Sequence, residues 1–471
     1  MIYRQVFKKY RRKEKVTAAV IGPGQYGKAI VTQHPFVEGL HVPVVADTDI
    51  EAAKSSILKA GIPESKILYS KDAGETRKAI FDGKYVYTDD PMIVMDIPEI
   101  DVIVEATGVP EAGARYCSAA IERKKSIAAV SKEMDSAIGP ILRRRAIENG
   151  VRYSPVDGDQ PGLIIGLVEW GRMIGLSIIS AGKARDAEWI LDEKKRTLFV
   201  QSDGITVHKD QTESISERYI KYFKKIPNES DAAQEYIDNR LEAGKSMPII
   251  GDYDYCEMTI AANALGLKPD IPQTSLAPLR ITELPIVFCS KKNGGIYNNE
   301  GTIDCHTNLR CLDESGMGGG VYMIVRCDNE YSRYIVNTKG HIINYDGSAA
   351  VIYRPYHLCG VETCVTILCI GLLNVDTGAL DYFPSVDLVK IATRDIKRGE
   401  ELGNDHDKRM TAIMVPATKW GPDNAMPAHL ITGNKTTVDI KKGQTITYSM
   451  IEEPTNSVLW ELRAQQEKIF A

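Results

Sequence analysis

The sequence predicts an α/β protein whose first 150 residues form a parallel sheet with helices on both faces. Three observations support this fold class. An apolar run enters a glycine-rich turn near the N-terminus, strand-like and helix-like segments alternate up to residue 150, and a short internal repeat near the C-terminus predicts a small all-β module. The alternation is typical of βαβ units, in which each helix crosses between parallel strands.

The segment 16–27 combines a strand-like run with the spacing Gly-x-Gly-x-x-Gly. The apolar letters VTAAVI precede Gly22, Gly24 and Gly27. In such a turn the first glycine permits the tight bend, the second lets a pyrophosphate approach the backbone, and the third lets the helix pack closely on the strand. Asp47 closes the next strand-like run, HVPVVAD, where an acidic residue would bind a ribose. An ordinary βα turn without a ligand is the alternative.

Further candidate residues lie where later strands end. Thr107 and Gly108 follow the buried strand of EIDVIVEATG, and Lys132 follows the strand-like SIAAV, ahead of a predicted helix from Ile138 to Glu148. In open parallel sheets, ligands bind beyond the carboxyl ends of the strands. Lys132 at this position could polarise a carbonyl or accept a proton from an alcohol. A tight turn and a solvated surface lysine are the corresponding alternatives.

These features predict a nicotinamide dinucleotide as the cofactor. Because no arginine directly follows Asp47, NAD is favoured over NADP, whose 2′-phosphate would meet a carboxylate; NADP remains possible. The residues predicted to bind the dinucleotide are Gly22, Gly24, Gln25, Tyr26, Gly27, Asp47, Thr107 and Gly108.

The character of the sequence changes at Val151, after which polar residues gather near the ends of predicted elements. Asp157 and Asp159 precede an apolar helix, whose dipole would stabilise two carboxylates even without a substrate. Lys183 and Arg185 follow a strand and could hold a phosphate or a carboxylate. Further polar candidates for a substrate site are Glu257 near a helix start, and Arg354 and His357 in a turn before an apolar helix; a hydrogen-bonded core histidine would explain His357 equally well.

Composition excludes several function classes. The chain has 471 residues, 43% of them hydrophobic, and a net charge of −5, which gives no reason to expect a nucleic-acid partner. No apolar run reaches the ~18 residues of a membrane span. The nine cysteines show no paired spacing, so we expect free thiols and a cytoplasmic location. Asp252, Asp254 and Glu257 cluster, but acids are common at helix starts, and we predict no metal site.

The last eighty residues contain the internal repeat. ATRDIKRGEEL recurs as TTVDIKKGQTI, with the shared element Asp-Ile-Lys-basic-Gly. Each copy predicts a strand, a turn in which Gly399 or Gly443 supplies the geometry, and a second strand. Two such copies indicate a small all-β module with approximate twofold symmetry. The basic turn residues could contact an anion, although exposed turn lysines are the simpler interpretation.

Several of these motifs, in this order, resemble the homoserine-dehydrogenase-like oxidoreductases that carry a C-terminal SAF domain. The group includes 1-deoxyxylulose-phosphate reductoisomerase-like proteins and sugar-acid oxidoisomerases. The similarity runs through most of the chain, in GPGQYG, EIDVIVEATG, KKSIAAVSKEMD, GDQP, ANALGL, YRPYHL and the paired DIKxG repeats.

The resemblance implies three domains: a Rossmann domain at 1–150, an α+β catalytic domain that also mediates dimerisation at 151–385, and a β-clip-like SAF domain at 386–471. Ser131-Lys132 resembles the Asn-Lys pair near the nicotinamide in homoserine dehydrogenases, and Lys183 resembles the lysine of the family's AGK segment. Two segments depart from the pattern: GDYDYC stands where relatives often read DGTKS, so a lysine expected around Tyr253 is missing, and ARDAEW also differs. The reductoisomerase activity is therefore not carried over.

Together these observations predict an NAD(P)-dependent oxidoreductase that transfers a hydride between nicotinamide and a small polyhydroxylated or phosphorylated sugar or sugar acid. The predicted catalytic residues are Lys132, Lys183 and Asp159, and the predicted substrate-binding residues are Asp157, Arg185, Glu257, Arg354 and His357. We expect a homodimer or higher homo-oligomer, with no membrane partner. The alternative is a non-catalytic nucleotide sensor whose SAF domain binds a partner or an anionic carbohydrate.

Overall fold

The helices and strands were located in a computed structural model. The structure describes residues 3–470 except 205, 206, 208, 228–231, 249–251, 340–341 and 379. The helices are α1 (Tyr3–Tyr10), α2 (Gln25–Gln33), α3 (Ile50–Lys59), α4 (Ala73–Phe81), α5 (Pro110–Glu122), α6 (Lys132–Glu148), α7 (Gln160–Met173), α8 (Ala232–Ala243), α9 (Asp252–Leu265), α10 (Leu284–Val287), α11 (Glu330–Thr338), α12 (Thr363–Leu368), α13 (Ala428–Ile431) and α14 (Val458–Ile469).

The strands fall into three sheets. They are β1 (Val16–Ile21), β2 (Leu40–Ala46), β3 (Ile67–Tyr69), β4 (Tyr85–Thr88), β5 (Val102–Glu105), β6 (Ser126–Ala129), β7 (Tyr153–Pro155), β8 (Ser177–Ala184), β9 (Trp189–Asp192), β10 (Thr197–Val200), β11 (Gln211–Ser214), β12 (Pro278–Leu279), β13 (Thr302–Cys311), β14 (Val321–Arg326), β15 (Ile342–Ile343), β16 (Ala350–Arg354), β17 (Val386–Ala392) and β18 (Met410–Pro416).

The first sheet is parallel and has the order β3-β4-β2-β1-β5-β6-β7. The order runs outward in both directions from β1 and β5, as in doubly wound folds, and confirms the predicted α/β class. It includes β7, so the sheet extends beyond residue 150, where we expected the first domain to end. The predicted strand at 16–21 is confirmed, whereas α6 begins at Lys132 and not at Ile138. Its first turn is polar and so shows no apolar periodicity.

Two further sheets follow. The second is mixed, with β13 parallel and β14 antiparallel to the central β8, and the third is the antiparallel pair β17-β18. Helix α9 packs against α6, α7, β13, β17 and β18, so it contacts all three parts of the chain. None of the helices among the described residues combines the length and apolarity that a bilayer crossing needs.

The segment from α12 to Leu373 closes the core of the first sheet. Buried Ile367, Ile370 and Leu372 belong to the same apolar cluster as residues of β1, β2 and α2. Gly360, just before α12, has φ +76°, and a Cβ there would lie 2.5 Å from the carbonyl oxygen of Tyr26. This part of the chain therefore packs directly on the glycine-rich turn and its helix.

The C-terminal repeat forms reciprocal contacts. Lys397 lies 2.8 Å from Asp439, and Lys441 lies 2.8 Å from Asp395. Ile396 and Ile440 exchange two backbone hydrogen bonds of 2.9 and 2.8 Å. Gly399 and Gly443, which follow them in the two turns, have φ +84° and +85°. Each copy thus binds the other through the same groups, as an approximate twofold axis requires. The basic side chains of the repeat are used to join its two halves.

Helix α14 leaves this module and packs against α5 and α6. Its N-terminal turn is capped by Glu111 of α5, which accepts hydrogen bonds from the backbone N–H groups of Val458 (3.0 Å) and Leu459 (3.2 Å). Its buried Arg463 forms a bidentate pair with Asp387 of β17 (2.8 and 2.7 Å). These contacts fix the C-terminal module on the first domain.

The buried Asp135 of α6 gives a prediction for stability against pH. Its carboxylate accepts hydrogen bonds from Tyr153 (2.8 Å) and Tyr382 (2.9 Å), and burial raises its pKa to about 7. The unfolded value is ~3.9, so between about pH 4 and 7 the folded state binds more protons, and stability falls as pH rises. Asp135→Asn should therefore reduce the loss of unfolding free energy between pH 5 and 8 by roughly 2–3 kcal/mol.

Urea unfolding of the wild type and the variant at both pH values measures this difference. Asp313→Asn, at an exposed position, is the control and should keep the wild-type pH dependence. Equal slopes for Asp135→Asn and the wild type would contradict the assignment.

Candidate active site

A cavity of about 650 Å³ lies beside the start of α6. Its walls come from α6, from the end of β8, from α9 and from the C-terminal module. Its charged lining residues include Lys132, Lys183, Arg185, Asp254, Glu257 and Asp405. The cavity is large enough for a small-molecule ligand.

Glu257 is the charged centre of this site. One of its carboxylate oxygens contacts the ammonium group of Lys132, and the other contacts that of Lys183. Lys183 also lies 2.8 Å from Asp254, which pairs in turn with Arg185 at 3.2 Å. The site therefore brings together Lys132, at the end of the first sheet, and Lys183, on the second.

Both lysines are held in their charged form. Burial lowers the pKa of Lys132, but the carboxylates of Asp159 and Glu257 outweigh it and raise that pKa well above its usual range. Burial likewise lowers the pKa of Lys183, and Asp254 and Glu257 outweigh it. The lysine pair in turn lowers the pKa of Glu257 against the effect of burial. These ammonium groups are suited to donate hydrogen bonds rather than to accept protons.

A hydrogen-bonded chain extends the site to His357. With the Gln160 amide oriented to suit its partners, its NH₂ group donates to Asp159 (2.6 Å) and Glu257 (3.3 Å), and its oxygen accepts from His357 Nε2 (3.2 Å). Asp159 also lies 4.0 Å from Lys132. Of the predicted residues, Asp159, His357, Glu257 and both lysines are thus joined in one network.

Two carboxyl groups at this site favour the protonated form more than usual. Burial raises the pKa of Asp159, against the opposing charge of Lys132. Burial also raises the pKa of Asp186, which follows β8 and lies near Lys183 and His357. A carboxylate of raised pKa beside a cationic lysine can accept a proton that leaves a substrate hydroxyl.

A glycine-rich segment, GMGGG at 316–320, packs against the side chains of Asp186 and His357. Gly319 has φ +70°, and a Cβ there would lie 2.3 Å from Asp186 Oδ1 and 2.3 Å from His357 Cε1. Glu188 anchors the same segment by accepting backbone hydrogen bonds from Met317 and Gly318. Only glycine leaves room for both side chains at this point.

The glycine-rich turn after β1 has the geometry that each predicted role requires. Gly22 has φ +89°, and a Cβ there would lie 2.4 Å from the Ala106 carbonyl oxygen. A Cβ on Gly27 would lie 2.3 Å from the Gly22 carbonyl oxygen, so the helix packs closely on the turn. Gly24, at the N-cap of α2, has nothing within 4 Å of its Cβ position. Open space therefore lies over the N-terminus of α2, where backbone N–H groups attract anions.

The remaining predicted cofactor residues lie at neighbouring strand ends. Asp47 follows β2 and accepts a hydrogen bond from the backbone N–H of Asp49 (2.8 Å). Thr107 follows β5 and donates to the buried Glu105 (2.6 Å). The N–H of Gly108 donates to Ser131 Oγ (2.8 Å), which connects this strand end to the residue before Lys132.

Asp157 and Arg354 lie in a second cluster and do not line the cavity. Arg354 pairs with Glu362, and both charges act on Asp157, whose pKa is raised by burial to about 7. The Tyr26 hydroxyl lies 2.9 Å from Thr363 Oγ1, at the start of α12. Tyr26 is thus engaged in joining α2 to α12.

Several residues of the site were not predicted from the sequence as site residues. Asp254 was noted only as part of an acidic cluster at a helix start; its i,i+3 spacing from Glu257 places both side chains on one face of α9. Asp186 directly follows Arg185, and Gln160 directly follows Asp159. The orientation of each side chain depends on the backbone at the end of β8 and at the start of α7. Asp405 reaches the cavity from the C-terminal module, and no pattern in the sequence indicates that contact.

One segment of the chain matches a known protein family. Residues 251–363 match the family described as oxidoreductase DRL, catalytic domain. This segment is therefore similar to the catalytic domain of an oxidoreductase. The matched residues cover less than half of the chain but include Asp254, Glu257 and His357. No curated protein sequence matches the chain.

Solved structures resemble parts of the chain. A probable dehydrogenase from Thermotoga maritima is 11% identical over 37% of this chain and 46% of its own (TM-score 0.28). A DOX-P reductoisomerase with fosmidomycin and magnesium is 15% identical over 37% of this chain and 46% of its own (TM-score 0.26). A myo-inositol dehydrogenase from Lactobacillus casei, in complex with NAD(H) and myo-inositol, is 20% identical over 36% of this chain and 46% of its own (TM-score 0.25). Each of these matches covers less than half of this chain and less than half of the solved structure's chain.

Gly319→Ala should separate activity from stability. Alanine at a positive φ costs about 1–2 kcal/mol, and the new Cβ must also displace Asp186 or His357. A displacement of about 1 Å near reacting groups can lower turnover roughly a hundredfold. Gly301→Ala is the matched control, because Gly301 has φ +76° with nothing within 4 Å of its Cβ position.

Urea unfolding should show that both variants are destabilised, Gly319→Ala by the larger amount because of its side-chain contacts, whereas steady-state turnover should fall only in Gly319→Ala. Equal turnover in both would remove the positioning role of this glycine.

Proposed function

We propose that this chain is an NAD(P)-dependent oxidoreductase that acts on a CH–OH group of a small polyhydroxylated or phosphorylated sugar or sugar acid. The observation that carries the proposal is the meeting of Lys132 and Lys183 on Glu257, in a cavity that begins where β6 ends. Beyond that end of a parallel sheet, a dinucleotide held by the glycine-rich turn would present its nicotinamide. A non-catalytic nucleotide sensor would need no such pair of cations.

The chain's own geometry fits a dinucleotide. The open space over Gly24 and the N–H groups at the start of α2 would receive the pyrophosphate. Asp47, at the end of β2, would receive the ribose hydroxyls, and its negative charge favours NAD over NADP. A bound nicotinamide supplies the hydride chemistry of such an enzyme.

Lys132, which lines the cavity, and Asp159, which lies behind it in the same network, would handle the proton. Lys132, kept cationic by its acidic neighbours, would donate a hydrogen bond to the substrate oxygen and stabilise negative charge that develops there. Asp159, 4.0 Å from Lys132 and with a raised pKa, would accept the hydroxyl proton during alcohol oxidation. In the reverse direction the same carboxyl would return it. Of the two roles considered for Lys132, its charge state favours polarisation of the oxygen.

Two glycine variants test the cofactor site. Gly24→Ala should fold as stably as the wild type, because Gly24 has φ −60° and open space around its Cβ position. It should weaken NADH binding at least tenfold, since the new methyl group would occupy the place of the pyrophosphate. Gly27→Ala, by contrast, should destabilise the fold itself through its contact with Gly22.

Quenching of protein fluorescence by NADH and NADPH, with thermal unfolding alongside, measures both effects. Unchanged NADH affinity in Gly24→Ala would refute the assignment of the turn. Wild-type binding of NADPH as tight as that of NADH would refute the preference for NAD.

Lys132→Ala tests the catalytic assignment. Lys132 is partly exposed, and Lys183 would still neutralise Glu257 after its removal, so the variant should fold. We expect kcat to fall by about 10²–10³-fold, the usual contribution of one hydrogen-bond donor that stabilises negative charge developing on the substrate oxygen. Lys183→Ala is less useful, because it would leave two buried carboxylates without their ammonium partner.

The measurement is turnover on a panel of sugar acids and sugar phosphates, followed by NADH absorbance, with surface variant Lys59→Ala as the control. Wild-type kcat in Lys132→Ala would exclude its role.

A further inference from the structure

The outer wall of the cavity comes from the C-terminal module. Asp405 and His406 line it together with Tyr253 of α9. The residues deeper in the site, Lys183 and Glu257, are almost completely buried, whereas Tyr253 is 40% exposed and His406 is exposed. His406 and Tyr253 therefore stand at the mouth of the cavity, where a substrate would enter.

The loop that carries His406 is held in one shape by its own hydrogen bonds. Asp407 accepts a hydrogen bond from the backbone N–H of Gly403 (2.8 Å) and binds the Arg409 guanidinium (2.6 Å). The backbone N–H of His406 donates to Asn404 Oδ1 (3.0 Å). A loop fixed in this way presents its exposed side chain with little loss of conformational entropy on binding.

The same loop is tied to the helix that begins with Lys132. Asp405 pairs with Lys390 (2.7 Å) and with His429 Nε2 (3.0 Å). His429 Nδ1 lies 3.0 Å from the hydroxyl of Ser136, one turn after Lys132 on α6. The charge of Asp405 is thus matched within the module, and the position of His406 is coupled to that of the proposed catalytic lysine.

His406 is oriented by Tyr253. The two rings lie 4.8 Å apart between centroids, and the Tyr253 hydroxyl bonds to His406 Nδ1. When the phenol donates to Nδ1, the ring proton of a neutral imidazole lies on Nε2, which then serves as a donor. Lys209, also at the cavity, has no ion pair within the part of the chain that the structure describes. The acidic residues of the lining are Glu133, Asp186, Asp254, Glu257 and Asp405; Asp254 and Glu257 pair with Lys183, and Asp405 pairs with Lys390.

Donors held in place at the mouth of a cavity suit a ligand group that offers only acceptors. We propose that His406, oriented by Tyr253 and assisted by Lys209, binds the anionic end, a carboxylate or a phosphate, of the substrate whose carbinol end reaches Lys132. The C-terminal module then determines substrate specificity. This inference rests on the proposed function, because it concerns the far end of the same substrate.

His406→Ala tests the subsite, with Lys408→Ala on the same loop as the matched control, since Lys408 is exposed and outside the cavity lining. For the anionic substrate that the wild type turns over, His406→Ala should raise KM about tenfold with kcat within twofold, and Lys408→Ala should change neither. The ratio of the KM increases for a sugar phosphate and a sugar acid of equal length identifies which anion the subsite prefers. An unchanged KM for both would overturn the proposal.

Tyr253→Phe keeps the ring contact and removes only the hydroxyl, so it guards against misfolding as an explanation. It should give a smaller increase in KM than His406→Ala, with thermal unfolding close to that of the wild type. An effect on kcat alone in either variant would indicate a structural role and overturn the subsite.

A second readout is independent of turnover. Modification of His406 by diethyl pyrocarbonate, followed by mass spectrometry, should slow in the presence of inorganic phosphate or acetate, whereas that of the half-buried His41, which does not line the cavity, should not. Protection without turnover or nicotinamide binding would leave the anion subsite standing while the proposed function fails. Turnover without protection, and with unchanged KM in His406→Ala, would reject the subsite alone.

Discussion

The contact of Glu257 with two lysines is the interaction on which the rest of this structure depends. Glu257 and Lys183 are buried, while Lys132 is partly exposed. Burying charged groups is costly, and removing one partner of a buried pair typically costs about 3–5 kcal/mol. The arrangement is tolerable because one carboxylate meets two ammonium groups, and Asp254 balances the second cation. The first and second sheets must therefore pack in one relative position, because only then does Glu257 contact both lysines. The charges that form the candidate site are thus the same charges that constrain how the two sheets pack.

Helix α9 is the element that makes this possible. It contacts elements of the first domain, of the mixed sheet and of the C-terminal module, and its first turns carry the acids that the lysines need. The same side of the helix closes the cavity. Because Glu257 lies on this helix, its contacts with Lys132 and Lys183 depend on how the three parts of the chain pack.

The C-terminal module has a structural role and a proposed role at the site. Its repeat joins two halves through reciprocal Lys–Asp pairs, and α14 docks it on α5 and α6. Exposed pairs of this kind contribute little stability individually. The buried Arg463–Asp387 pair and the cap from Glu111 do more to fix the module, and they hold the Asp405 loop at the cavity wall.

The sequence by itself determined the elements whose cause is local. The apolar run before Gly22 predicted β1 to the residue, because strand, turn and helix follow one another with a fixed glycine spacing. Two copies of Asp-Ile-Lys predicted the approximate symmetry, since each repeat carries its own turn. Lys132 was found because a strand end is a functional position in any parallel sheet.

Only the tertiary structure decided which of the candidates meet. Lys132 and Lys183 are both joined to Glu257, while Asp157 and Arg354 belong to another cluster, and no spacing in the chain distinguishes these outcomes. Packing between elements distant in sequence brings four further residues to the site: Gln160, Asp186, Asp405 and His406. The physical reason is that side-chain periodicity reports which face of an element is buried, whereas the partner of a buried charge is set by how separate elements pack.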